Sequence, residues 1–219
     1  MLALGAPAAS RGEDERLAAR FEGTGAWLNS EPLTAAQLRG KVVLVQFWTY
    51  TCVNWLRTMP YVRAWVAKYR DAGLLVIGVH TPEFRFEHDL DNVRRAVKSM
   101  DVPYPVPTDN EYRIWRAFGN QAWPALYLAD AMGRVRYSHL GEGEYERTEK
   151  MIQQLLPQDA ARGLVAVEGR GLGQRAFGGK LPEPRAHPRL FVRAAGAAGA
   201  QSMGIGRGVD DGEPGKRSQ

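Results

Sequence analysis

The chain has one cysteine, Cys52, and chemistry-bearing side chains stand close to it in sequence. Thr49 and Thr51 place hydroxyls within three residues of the sulfur, and Trp55 follows three residues later. A lone thiol has two reactive options. It can attack a disulfide and form a mixed disulfide, or a peroxide can oxidise it to a sulfenic acid. Either product must then be relieved by a thiol from outside the chain. His80 ends a second apolar run, Leu74–His80, and reads either as a group that tunes the thiolate or protonates a leaving group or as a histidine tied to a neighbouring loop. Arg57 lies five residues beyond Cys52, rotated by about 140° on a helix, and reads as a solvent or ion-pair residue.

The flanking segments say how these groups are held. Lys41–Phe47 is a nearly unbroken apolar run rich in valine and reads as a strand buried on both faces. Val53–Tyr69 carries Leu56, Met59, Val62, Val66 and Tyr69 at helical spacing. Cys52 therefore falls where a strand hands over to a helix N-terminus. There the dipole is worth at most ~2 kcal/mol, enough to lower a thiol pKa of ~8.5 to roughly 7. A sizeable thiolate fraction at neutral pH is the expectation. Leu74–His80 reads as a parallel partner strand, making a β-α-β unit. Its end shares a sheet edge with Cys52.

Elsewhere, Ala26–Leu33 reads as a short strand and turn, and Leu33–Leu38 as a helical turn. Glu87–Met100 and Asn110–Phe118 read as helices, with Tyr104–Thr108 extended between them. Pro124–Leu128 and Val135–Leu140 form an antiparallel hairpin around a turn ending at Gly133. Tyr145–Leu156 closes the domain as an amphipathic helix stopped by Pro157.

Together, FWTYTCVNWLRTMP, VIGVHTPEF, the Trp123–Pro124 pair and DAMGRVR…GEGEY resemble thioredoxin-like proteins of the TlpA/DipZ-type redoxin family, over about Trp27–Leu156. The resemblance implies an α/β thioredoxin-like fold, a central mixed sheet flanked by helices with a short N-terminal strand–turn extension. It implies a cis proline at Pro124, where the Trp123 backbone would pair with an extended peptide, and a substrate groove around Trp123 and Pro124 that Trp55 either joins as a docking surface or merely packs beneath. Two departures stand out. Trp55 replaces the resolving cysteine, giving C-x-x-W, and Gln46 replaces the buried acid six residues before the first cysteine. With no second thiol to deprotonate, an uncharged glutamine is chemically consistent. Thr49-x-x-Cys52 also resembles the T-x-x-C of peroxiredoxins, but Val45 stands where those have proline.

The expected organisation is a flexible N-terminus at 1–20, the redoxin domain at 21–157 and a Gly/Arg/Ala-rich, disordered tail at 158–219. Thirteen of 24 glycines lie in that tail, which also supplies +4 of the net charge of +5. The basic balance is thus no nucleic-acid signal, and no basic stripe interleaves with aromatics. His88, His139 and His187 show no metal-ligand spacing, and no nucleotide-binding motif is present, so neither metal nor cofactor is expected. No apolar run is long enough for a transmembrane helix. As written the chain reads as soluble and cytoplasmic without a cleavable leader, and the resemblance leaves a periplasmic setting open.

The functional expectation is a thiol-disulfide oxidoreductase acting through Cys52 alone, with a disulfide-containing protein or small thiol as substrate. Glutathione or a thioredoxin would be the external reductant, and peroxide reduction an antioxidant variant. The alternative is a binding module that holds peptides or proteins in the old groove.

Overall fold

The computed structural model describes residues 13–157. Its centre is a four-stranded sheet in the order β3-β2-β5-β6, comprising β2 (Val42–Trp48), β3 (Leu74–His80), β5 (Ala125–Ala129) and β6 (Val135–Leu140). β2 runs parallel to β3 and antiparallel to β5, so the sheet is mixed. β6 pairs antiparallel with β5 and closes one edge. A separate two-stranded ribbon joins β1 (Trp27–Leu28) to β4 (Val106–Pro107).

Every residue of β2 is buried, as its continuous valine-rich run requires. Alternate residues feed two cores. Val42, Leu44 and Trp48 pack with α3 (Val53–Tyr69), α4 (Leu90–Ser99) and α6 (Tyr145–Leu155). Val43, Val45 and Phe47 pack with α1 (Glu13–Ala19), α2 (Ala35–Leu38) and α5 (Arg113–Ala117). Helices therefore cover both faces, which is the expected thioredoxin-like arrangement. Exposed and half-buried positions alternate along β6, whose outer face meets solvent.

Two elements differ from the sequence reading. Residues 13–19, assigned to a flexible terminus, form α1, and Leu17 is 2% exposed. Its charged run masks a single apolar anchor that docks with Phe21 beside Phe118. The helix expected over 87–100 is broken. Arg85–His88 forms a 3-10 turn, and the Asp89 side chain then accepts from Asn92 N at 2.9 Å to cap α4. The tail expected at 158–219, and residues 1–12, lie outside the described residues.

Candidate active site

Cys52 caps α3 in an extended conformation, at the end of the loop that leaves β2 after Trp48. Its amide donates to Thr49 O at 3.2 Å, which closes a turn, and its carbonyl accepts from Leu56 N at 3.0 Å, which starts the helix. The sulfur is half-buried and free. Pro60 sits within α3, where its missing N–H leaves the carbonyl one turn back without that donor.

The electrostatics correct the expectation of an acidic thiol. Burial raises the Cys52 pKa, and the first-turn amides of Trp55 and Asn54 lower it by less. Glu83 and Glu87 add a further upward push. The helix N-terminus is present, but desolvation and two carboxylates outweigh it, so the resting group is the thiol.

Parallel register sets Trp48 against His80, which brings the end of β3 to the edge that carries the Cys52 loop. His80 is fully buried, stacked against Tyr50 at 5.7 Å and edge-on to Trp48 at 5.0 Å. Its Nε2 lies 3.5 Å from Thr49 Oγ1, and its Nδ1 has no hydrogen-bond partner among the described residues. Burial lowers its pKa to about 4. Near neutral pH the ring is uncharged and has no spare proton for a leaving group, contrary to the sequence-based role.

Neither threonine hydroxyl is free. Thr49 is fully buried. Thr51 Oγ1 donates to Glu87 Oε1 at 2.5 Å. The Glu87 carboxylate also accepts from Glu83 N at 2.7 Å and Phe84 N at 2.9 Å. Burial by itself would raise the Glu87 pKa. Hydrogen bonds from Thr49, Thr51 and the Phe84 and Glu83 amides reverse that and hold it below the ordinary carboxylate value. Sequence reasoning missed this residue, because a glutamate opening an apparent amphipathic helix looks like a surface charge.

For Trp55 the structure decides between docking surface and plain packing in favour of packing. It is fully buried and stacked on Trp48, with ring centroids 4.2 Å apart and planes 23° from parallel. It is core and offers no surface to a peptide. Gln46 is satisfied in the same layer, donating to Thr58 Oγ1 and accepting from Tyr104 Oη, each at 2.9 Å. Glutamine thus does fill the space of a buried acid without a charge. Arg57 is exposed and paired with Glu142 at 2.9 Å, away from a thiolate role.

Trp123 and Pro124 lie in the loop that enters β5, and the peptide bond between them is cis. Trp123 is half-buried against Trp115, and its Nε1 donates to Thr81 O at 3.0 Å. Asp109 ties that unit together. Its carboxylate accepts from Ile114 N at 3.0 Å and Trp115 N at 2.8 Å, with Thr81 Oγ1 at 3.4 Å. Among the described residues no group of side chains could hold a metal ion, and no helix is long and apolar enough to cross a membrane.

A half-buried thiol at the first turn after the central strand of such a sheet defines a thioredoxin-fold thiol protein. The chain matches the Redoxin family over residues 14–156 and belongs to it. It is 42% identical over 180 residues to Protein DipZ of Mycobacterium tuberculosis (strain CDC 1551 / Oshkosh). That match takes in 80% of this chain but 24% of DipZ, so the chain spans about a quarter of that relative's length. It is 34% identical over 139 residues to the thiol-disulfide oxidoreductase YkuV of Bacillus subtilis, covering 62% of this chain and 91% of YkuV. Among solved structures it resembles a thioredoxin-like protein in its oxidised form, with a TM-score of 0.55 and 32% identity. That likeness covers 61% of this chain and 91% of the other.

Proposed function

We propose that the protein is a thiol-disulfide oxidoreductase that works through Cys52 alone. The observation that carries this reading is a single half-buried thiol at the α3 N-terminus of a Redoxin-family fold. The Cys52 thiolate attacks one sulfur of a substrate disulfide. The Cys52–substrate S–S bond forms, the original S–S bond breaks, and the leaving thiolate takes a proton from solvent. Trp55 cannot resolve the adduct. An external thiolate, from glutathione or a thioredoxin, attacks the mixed disulfide, releases Cys52 and carries away the oxidised product. The half-buried Trp123 would line the approach, while Trp55 and Pro124 are buried.

The peroxide variant has weaker support. Thr49 is buried and the Thr51 hydroxyl is committed to Glu87, so neither is free to hold a peroxide oxygen.

One observation favours the binding-module reading. Burial and two nearby carboxylates hold the thiol protonated, which slows any attack at neutral pH. The experiment that separates the readings is the rate at which Cys52 reacts with a small disulfide, compared with free cysteine. Oxidoreduction predicts a faster rate per thiolate and a mixed disulfide on Cys52, absent in Cys52→Ser. A rate per thiolate no greater than that of free cysteine would favour the binding module.

A further inference from the structure

A fully buried carboxylate stands beside the reactive loop and takes no part in the thiol exchange itself. Glu87 is 0% exposed, in a 3-10 turn that follows β3, yet its partners belong to two separate segments. One oxygen accepts from Thr51 Oγ1, immediately before Cys52. The other accepts from the Glu83 and Phe84 amides, on its own turn. A second tie runs beside it, where Tyr50 Oη donates to Phe86 O at 3.2 Å. Burying a charge is costly unless it is fully hydrogen-bonded, and this one has its donors. An uncharged acceptor could hold a loop at lower cost, so the charge itself asks for a role.

We propose that Glu87 is a positioning residue for Cys52, a buried carboxylate that clamps the 49–52 loop onto the segment after β3 and imposes a fixed negative charge on the sulfur. This rests on Cys52 being the reacting atom. Behind burial and Glu83, that charge adds to what keeps the resting sulfur a thiol. Several other ionisable groups face the cluster. Tyr50, on the loop, has its pKa pushed up to about 12 and stays neutral. His80 on β3 is neutral. Glu83 adds a second, exposed carboxylate. His88, Asp89 and Arg95 on the turn and α4, and Asp109 and Tyr112 near α5, complete the set.

The test is the rate of alkylation of the full chain by iodoacetamide as a function of pH, in wild type, Glu87→Gln and Thr51→Val. In this reaction the thiol proton goes to solvent, the S–C bond forms and iodide leaves. The glutamine removes the charge and keeps an acceptor. Its alkylation midpoint should fall below that of wild type, with about two- to threefold faster alkylation at neutral pH. A folded Glu87→Gln whose midpoint is unchanged or raised would overturn the proposal. Thr51→Val keeps the charge and breaks the clamp, and decides the matter should Glu87→Gln fail to fold. Its midpoint should stay near wild type while the plateau rate at high pH rises about tenfold through freer loop opening. Wild-type behaviour in both respects, or a midpoint as low as that of Glu87→Gln, would overturn it. The readout needs no disulfide. A Cys52 that ignores disulfides but shows these shifts would refute the proposed function and leave the role of Glu87 standing.

Discussion

A thiol at a helix N-terminus feels opposing pulls, and Cys52 shows which one wins. The first-turn amides favour the thiolate, but burial and the carboxylates Glu83 and Glu87 favour the thiol. The nucleophile is the thiolate, so the sign of the pH dependence follows. With the pKa raised, reaction with a disulfide should keep accelerating through pH ~8.5, where an ordinary cysteine is half-ionised. A rate that levels off near pH 7 would contradict the burial seen here. The position of Cys52 was legible in the sequence, because strand, loop and helix each have clear periodicity. Its acidity was not, because desolvation and the approach of residues 83–87 arise only in the folded chain. His80 teaches the same lesson. The end of β3 was correctly located, but the ring points into a buried aromatic nest with Tyr50 and Trp48.

The elements around the site behave as a packed unit in which Trp55 is a structural part. Trp55→Cys would restore two thiols at C-x-x-C spacing, and it would also delete a fully buried indole stacked on Trp48. Urea denaturation of the reduced variant should show a loss of about 3 kcal/mol. Oxidation should then close a disulfide between Cys52 and the introduced thiol, which a dithiol reductant can reopen. Gly78 marks a second tight contact. A Cβ there would meet Tyr104 Cε2 at 2.4 Å and Trp48 Nε1 at 3.0 Å. Gly78→Ala should therefore cost about 2 kcal/mol by the same denaturation, since neither buried ring has room to yield. Strands β2 and β3 and helix α3 were legible because both their pattern and their burial are local. The break at Asp89 was not. Its side chain reads equally well as a helix-surface charge or as an N-cap, and only the 3-10 turn that buries Glu87 decides between them.

Across the domain, two of the buried ionisable groups, His80 and Glu87, make stability depend on pH in different windows. His80 has a folded pKa of about 4 against ~6.5 unfolded, so the unfolded chain binds the extra proton first. Stability should fall as pH drops from about 6.5 to 4, by about 3 kcal/mol in total. Glu87 is shifted below its ordinary value, so its folded pKa lies under the unfolded value near 4.5. The stability it contributes is present above that pH and is lost as pH falls further through its folded pKa. Thermal or urea melts across this range should show the histidine slope first, and His80→Phe should remove it while leaving the lower-pH loss. No such slope between pH 6.5 and 4 in the wild type would mean that His80 is solvated. The mixed sheet with helices on both faces was readable from the alternation of apolar runs and turn signals. Helix α1 was not, because one leucine anchors an otherwise charged segment.

The proposed function turns on Cys52 acting as a nucleophile with no internal resolving thiol. Mass spectrometry of the full chain after reaction with a disulfide-bonded peptide reads that out. One peptide should be joined to Cys52 in a stable mixed disulfide that only added glutathione or thioredoxin removes. An unmodified Cys52 after exposure at a pH where free cysteine reacts would contradict it.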